Sequence, residues 1–211
     1  MSAGTGTGGP KRRRRVNGEA SRSRILEAAT EVAAERGYEG TSIALVSKKC
    51  GLPASSIYWH FKDKDDLIAA VIARSFADWS SAWRIPESGS ARERIVAMTT
   101  EIAKALMDSP DFLRLGLMLA LERRPVEASA RAMFLQVRAQ AHDVLVAGFG
   151  DLTEGLTPAQ VDQLVTYAVA GADGLFIAKE LGGDAIDLVA MFALHAHSIL
   201  HLAERMSAED G

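Results

Sequence analysis

Residues 55–64 concentrate side chains that can recognise a phosphate. The stretch reads SSIYWHFKDK, and three aromatic rings fall within four positions of a chain that is only 6% Phe, Tyr and Trp. A helix cannot bury four adjacent bulky side chains, because neighbours point about 100° apart. Some of these rings must therefore face outward. Tyr and His tips can hydrogen-bond to phosphate oxygens, and lysines add positive charge, so the stretch is typical of a surface that binds a polyanion.

Charge is distributed unevenly along the chain. Residues 1–73 hold 12 Lys and Arg against 8 Asp and Glu, a balance of +4, whereas residues 74–211 hold 12 against 19, a balance of −7. The run KRRRR at residues 11–15 supplies much of the positive charge. The N-terminal part therefore favours a polyanionic partner, although a basic tail on a neutral domain would give the same balance.

Composition limits the class of protein. An apolar content of 48% and a charged content of 24% are ordinary for a globular protein. Apolar runs such as LGLMLAL at residues 115–121 are far shorter than the roughly 20 residues that span a bilayer. No apolar signal-peptide core follows the basic run, and we expect a cytoplasmic protein. The single cysteine, Cys50, excludes an internal disulfide and a cysteine-rich zinc site.

Motifs of catalysis are missing from the sequence. It contains no Gly-x-Ser-x-Gly, no phosphate loop after a strand and no His-Glu-x-x-His. We therefore expect no enzymatic activity and no cofactor, with an all-helical hydrolase or lyase as the alternative. His197, His201 and Glu204 share one helical face at a spacing that suits a metal. Histidines in such positions are more often surface or interface residues, so we predict no metal site.

Hydrophobic periodicity predicts an all-α protein. Residues 1–20 lack such periodicity, and we predict that they form a disordered basic arm. Helices then start near Ser21 or Ser23, after Thr41 or Ser42, at Pro53 and after Asp63 or Asp65. Further helices are predicted at about 89–108, 110–123, 126–149, 158–181 and 185–206. The second and third helices are short and are joined by a tight glycine turn, which is the helix-turn-helix pattern.

The segment of about residues 21–70 resembles the N-terminal domain of TetR-type transcriptional regulators, and the residues that carry the resemblance lie at 41–67. The shared pattern is TSxxxVxxxCGLPxSxIYWHFKDKxxL, and the segment GADGLFIAKEL at residues 171–181 is also similar. The resemblance implies a helix-turn-helix DNA-binding domain over residues 21–67 and a helical ligand-binding and dimerisation domain over residues 68–211. It further implies a homodimeric repressor that binds a palindromic operator and is released by a small apolar or amphipathic ligand. A nonspecific DNA-binding protein without a sensor role is the alternative.

The resemblance implies that Tyr58, Trp59 and His60 face DNA and that Ile57 and Phe61 lie in the core. The predicted DNA contacts are Thr41, Ser42, Lys48, Ala54, Ser55, Ser56, Tyr58, Trp59, His60, Lys62 and Lys64. The third helix lacks the Arg, Asn and Gln side chains that read guanine and adenine with two hydrogen bonds, so DNA shape should carry part of the specificity. Alternatively, Tyr58 and Trp59 pack against the fourth helix. Arginines of the arm can enter a narrow minor groove, or the arm is a solvated tail.

The sequence of the helices after residue 68 predicts a dimer interface and a pocket that senses a small ligand. Two long helices carry apolar stripes that would form a four-helix bundle with their symmetry mates, or else the core of one protomer. The predicted interface residues are Leu164, Ala168, Ala172, Leu175, Val189, Phe192, Ala196, Ile199 and Leu200. Soft and aromatic side chains of the middle helices predict an adaptable ligand pocket, with plain core as the alternative for each residue taken singly. The predicted pocket residues are Trp79, Trp83, Met98, Phe112, Met118, Phe134, His142, Asp173 and Phe176, with Arg138 as a further polar group.

Overall fold

The computed structural model describes residues 10–81, 86, 88–121, 129–149 and 155–209, and within these ranges the side chains of residues 17–208. The described residues form helices and no β-strand, which confirms the predicted all-α fold. The helices are α1 (Pro10–Gly40), α2 (Ile43–Cys50), α3 (Ala54–His60), α4 (Lys64–Ser81), α5 (Ala91–Asp108), α6 (Asp111–Leu121), α7 (Ser129–Gly148), α8 (Pro158–Gly182) and α9 (Leu188–Glu209), with a 3-10 turn at Gly183–Ala185. None of them is long and apolar enough to cross a membrane.

Helix α1 begins at Pro10 rather than near Ser21 or Ser23. This corrects the predicted disordered arm for residues 10–20, whereas residues 1–9 lie outside the described ranges. Proline is favoured in the first turn of a helix, and Lys and Arg are good helix formers. A helix that is already anchored by packing also extends at little cost, because nucleation is the unfavourable step. The prediction relied on an apolar stripe, which such an extension does not need.

The first compact unit consists of Met1–Arg74 and Asp111–Phe134. It therefore holds α1 to α3, the first part of α4, α6 and the first residues of α7. Its core contains Ile25, Val46, Ile57 and Ile72, none of which exposes any surface. Gly37 interrupts α1 with a φ of 67°, a left-handed conformation that glycine adopts without steric cost.

The second compact unit consists of Ser75–Pro110 and Leu135–Gly211. In it, α9 packs against both α5 and α8. A capping box starts α8, because Thr157 and Gln160 satisfy each other's backbone N–H groups. The core of the unit is a cluster of Ile95, Phe149, Leu164, Val165, Ala196, Ile199, Leu200 and Ala203.

Candidate nucleic-acid interface

Helix α3 is anchored by two side chains and presents two others to solvent. Ile57 and Phe61 are four residues apart, share one face of the helix and are 0% and 3% exposed. This confirms their predicted place in the core. Tyr58 and Trp59, by contrast, are 56% and 76% exposed. These exposures contradict the alternative that both rings are buried against α4, and they leave a rigid platform with two protruding aromatic rings.

The turn between α2 and α3 is held by side-chain hydrogen bonds. The Arg24 guanidinium donates to the carbonyl oxygen of Cys50 at 2.7 Å, and the Ser47 hydroxyl donates to that of Leu52 at 2.7 Å. Gly51 ends α2 with a φ of 66°, as the predicted glycine turn requires. These hydrogen bonds fix the turn relative to α1 and α2.

Positive charge lies around the exposed face of α3. Lys48 and Lys62 are exposed, whereas Lys64 is half-buried. The Lys64 ammonium donates to the Tyr38 carbonyl oxygen at 3.1 Å and lies 4.2 Å from the centre of the Tyr38 ring. Lys64 is therefore positioned by hydrogen bonding and by a cation–π contact. The neighbouring Lys49 is held by an ion pair with Glu31 at 2.7 Å.

Thr41 is the one predicted DNA contact that the structure places inside the protein. It is 2% exposed, and its hydroxyl donates to the carbonyl oxygen of Gly37 at 2.7 Å. It has no surface to offer a phosphate, and we remove it from the proposed contacts. The prediction was wrong because a threonine beside a helix N-terminus can serve the preceding helix instead. Ser42 is the N-cap of α2, since its hydroxyl accepts from the backbone N–H of Leu45.

A surface groove of about 380 Å³ separates α3 from the N-terminal part of α1. It is lined by Asn17, Gly18, Ser21, Ser55, Ser56, Trp59 and His60. The Trp59 ring meets the His60 ring edge to face, with ring centres 4.5 Å apart. Burial lowers the pKa of His60 and the nearby Arg22 guanidinium lowers it further, which favours the neutral imidazole. Sequence reasoning missed Asn17, Gly18 and Ser21 because it treated residues 1–20 as unfolded; Pro10 was the available signal.

The predicted ligand-pocket residues are divided between the two units. Phe112, Met118 and Phe134 belong to the first, whereas Trp79, Met98, His142, Asp173 and Phe176 belong to the second. Trp83 lies outside the described residues. Five of the set are buried, Met118 is exposed, and His142 and Asp173 are half-buried. A single pocket that includes all of them stays a prediction.

A second groove, of about 370 Å³, does bring the three predicted polar groups together. Arg138 and His142 of α7 line it with Asp173 of α8. The Arg138 guanidinium donates to both carboxylate oxygens of Asp173, at 2.8 and 2.6 Å. Burial raises the pKa of Asp173, and the Arg138 charge opposes that rise. This fork-shaped pair joins α7 to α8.

Replacing Arg138 by Met should destabilise the protein by about 1–3 kcal/mol at pH 7, because Asp173 would keep a half-buried charge without its partner. Without the guanidinium, the pKa of Asp173 rises further above its unfolded value. A raised folded-state pKa means that the penalty is full above that pKa and fades as pH falls through it, since the folded state then holds the proton more tightly. Urea denaturation between about pH 8 and 4 measures this. A penalty of constant size, or one that persists when Asp173→Asn is added, would contradict it.

The predicted dimer-interface stripes lie largely in the core of the protomer. Leu164, Phe192, Ala196, Ile199 and Leu200 are each at most 2% exposed. The prediction was wrong for these five, because helical periodicity identifies an apolar face but not the element that covers it. The other four, Ala168, Ala172, Leu175 and Val189, are half-buried.

A different face of α8 and α9 exposes apolar side chains. On α8 the exposed residues are Tyr167, Ala170, Gly174, Ile177 and Leu181, at helical spacing, and on α9 they are Met191 and Leu194. Leu181 and Leu194 are 84% and 61% exposed. The two helices are drawn together by His195, which donates to the carbonyl oxygen of Ala168 at 2.8 Å. Its ring occupies the space that a side chain at Gly171 would need.

Within the described part of the chain, no group of three or more His, Cys, Asp and Glu side chains is arranged to hold a metal ion. Glu204, one of the three residues with metal-ligand spacing, lies 3.1 Å from the Arg92 guanidinium. His201 is 3.8 Å from the same carboxylate.

Comparison with known proteins is consistent with a helix-turn-helix formed by α2 and α3. The family model described as bacterial regulatory proteins, tetR family, matches residues 25–71. An HTH-type transcriptional repressor of Mycobacterium tuberculosis is 32% identical over 100 residues, which cover 47% of this chain and 38% of that protein. The fatty acid metabolism regulator protein of Bacillus subtilis is 23% identical over 141 residues, which cover 66% and 70%. The matched region is thus less than half the length of the first curated relatives.

Solved structures extend the likeness to most of the chain. A tetR-family transcriptional regulator from Streptomyces coelicolor has a TM-score of 0.72 at 18% identity and covers 92% of this chain and 84% of its own. The fatty acid degradation regulator FadR from Bacillus halodurans has a TM-score of 0.70 at 17% identity, with 92% and 97% covered. At this identity the likeness shows a shared fold. The family model therefore matches the helix-turn-helix segment, and the solved structures share the fold along most of the chain.

Proposed function

We propose that this protein is a homodimeric transcriptional repressor that binds a palindromic operator and is released by a small amphipathic ligand. The observation that carries the proposal is the pair of exposed rings, Tyr58 and Trp59, on a helix that Ile57 and Phe61 lock into the core. In a helix-turn-helix the second helix enters the major groove. The Tyr58 hydroxyl can then bond to a phosphate oxygen, and Lys62 can neutralise a neighbouring phosphate.

Base recognition would fall to three small side chains at the start of α3. Ala54 can contact a thymine methyl group, and the hydroxyls of Ser55 and Ser56 can bond to either base type. Such contacts discriminate weakly compared with a two-bond contact from Arg or Asn. We therefore expect operator choice to depend on DNA shape as well.

The exposed apolar face of α8 and α9 supports a dimer of this chain. Exposed apolar patches mark interaction sites, and the same face on a second copy is self-complementary about a two-fold axis. Leu181 and Leu194 would lie at this interface, in place of the buried residues of the original prediction. A dimer would present two α3 helices, one to each of two half-sites that lie about 34 Å apart on DNA.

The ligand class is suggested by relatives. Several of them are named as fatty acid regulators, and FadR from Bacillus subtilis, with a TM-score of 0.62 at 20% identity, was solved in complex with stearoyl-CoA. A ligand with a long apolar chain would suit the buried Met98 and Phe176 of the second unit, because Met side chains adapt their shape. Release of DNA requires that the ligand bind more tightly to the form with low DNA affinity, since equal affinity shifts nothing.

Fluorescence anisotropy tests the proposal, with labelled DNA from upstream of the protein's own gene and scrambled DNA as competitor. Binding that resists the scrambled competitor, is lost in Tyr58→Ala and falls on addition of stearoyl-CoA is the expected result. Equal competition by scrambled DNA would instead indicate the nonspecific DNA-binding protein. Specific binding that stearoyl-CoA leaves unchanged would contradict the acyl ligand but keep the repressor.

A further inference from the structure

We propose that the N-terminal turns of α1 form a second DNA-contacting element, which binds the sugar–phosphate backbone beside the base pairs that α3 reads. This inference rests on the proposed function, because it assumes that α3 faces operator DNA. Its structural basis is the groove between α1 and α3, in which Asn17 and Gly18 face Trp59. The sequence pattern that defines the helix-turn-helix does not include this part of α1.

The lining of the groove suits a nucleic-acid strand. The Asn17 amide is a hydrogen-bond donor of the kind that contacts phosphate oxygens. Trp59 and His60 form its aromatic wall, against which a sugar can pack. The Ser21 hydroxyl instead donates to the Asn17 carbonyl oxygen at 2.9 Å, which ties the α1 side of the groove together.

Gly18 keeps this groove open. A Cβ atom at Gly18 would lie 3.6 and 3.7 Å from two ring carbons of Trp59, so α1 passes close to the indole ring. A methyl group fits at that distance, because it is ordinary van der Waals contact. A longer side chain would enter the groove and occupy the space offered to DNA.

The positively charged residues of α1 precede the groove-lining residues along the helix. Lys11 and the four arginines up to Arg15 lie in the turns of α1 that precede Gly18. At 1.5 Å per residue, the helix from Gly18 back to Pro10 is about 12 Å long, which is roughly three to four base pairs of DNA. A helix of about 10–12 Å diameter does not fit a minor groove about 6 Å wide. The basic turns would therefore meet phosphates along the outside of the duplex, rather than enter the minor groove as a disordered arm can.

Two substitutions at Gly18 isolate the groove. Gly18→Ala and Gly18→Leu both favour the helix over glycine, and the Trp59 ring is exposed enough to move, so neither should impair folding. We expect Gly18→Ala to bind operator DNA within about twofold of the wild type and Gly18→Leu to lose about tenfold, the scale of one base or phosphate contact in each protomer. Anisotropy with the full chain measures the affinities, and circular dichroism verifies helicity. Equal affinity of all three proteins would overturn the groove contact.

The basic turns are tested by salt dependence. The variant R12A/R13A/R14A/R15A should reduce the slope of log affinity against log salt by about 0.9 for each phosphate contact that is lost. It should also lose the affinity that the wild type gains when about six base pairs of random sequence are added at each end of the operator. An unchanged slope would overturn the role of these turns while leaving specific binding, and with it the repressor, intact. Absence of specific binding by the wild type would overturn the proposed function together with this inference.

Discussion

Tyr58→Ala combined with Lys62→Ala is expected to abolish specific operator binding without unfolding the protein. Both side chains are exposed, so their removal creates no cavity. A hydrogen bond to a charged group contributes about 1.5–3 kcal/mol, and each contact occurs twice in a dimer. Even the lower figure predicts a loss of affinity well above 100-fold. Anisotropy measures the affinity, and thermal denaturation should show a midpoint within about 2 °C of the wild type.

Matched variants separate the causes of that loss. Tyr58→Phe keeps the ring and removes only the hydroxyl, so it should retain part of the affinity that Tyr58→Ala loses. Lys104→Ala makes the same charge change as Lys62→Ala at an exposed position of α5, and we expect it to leave specific binding unchanged apart from a small electrostatic effect. If Lys104→Ala weakened binding as much as Lys62→Ala, net charge rather than a local phosphate contact would be responsible. A double variant that binds like the wild type would show that α3 does not face DNA.

Leu194→Glu is expected to convert the dimer into a monomer that no longer binds the operator. Leu194 is 61% exposed on α9, and a charge buried at this position on both copies of an isologous interface would have no partner. The monomer reads one half-site, so its affinity for the operator should fall by at least about 100-fold, the cost of losing a second linked site. Size-exclusion chromatography with light scattering measures the mass, and anisotropy measures the binding.

Two further substitutions give this test its controls. Met107→Glu changes an exposed apolar residue of α5, which is 52% exposed, and should leave the dimer intact. Ile199→Glu changes a residue of the originally predicted stripe that is 2% exposed inside the protomer core, and we expect unfolding rather than a stable monomer. A dimer from Leu194→Glu would contradict an interface at Leu194. A folded monomer from Ile199→Glu would instead support an interface formed by the originally predicted residues.

The sequence by itself determined the helix-turn-helix and the boundaries of most helices. The signals there are local: glycine at Gly51 where the chain needs a positive φ, a capping box at Thr157–Gln160, and Ile57 and Phe61 four residues apart around an aromatic cluster. Such signals act over one or two turns, so they are legible without knowledge of the rest of the chain. The family resemblance reached the same segment for the same reason.

Only the tertiary structure decided which neighbour covers each apolar face. Both sides of α9 are apolar, and periodicity alone assigned Ile199 and Leu200 to a partner, whereas the core of the same protomer covers them and Leu194 is left exposed. Thr41 turned inward because Gly37 placed a carbonyl oxygen within its reach. The start of α1 at Pro10 likewise left no mark in the apolar pattern, since an extension of an anchored helix needs no buried stripe of its own. The contacts that cover Ile199 and Leu200 come from residues distant in the chain, such as Ile95 and Phe149, so no local pattern encodes them and only packing decides them.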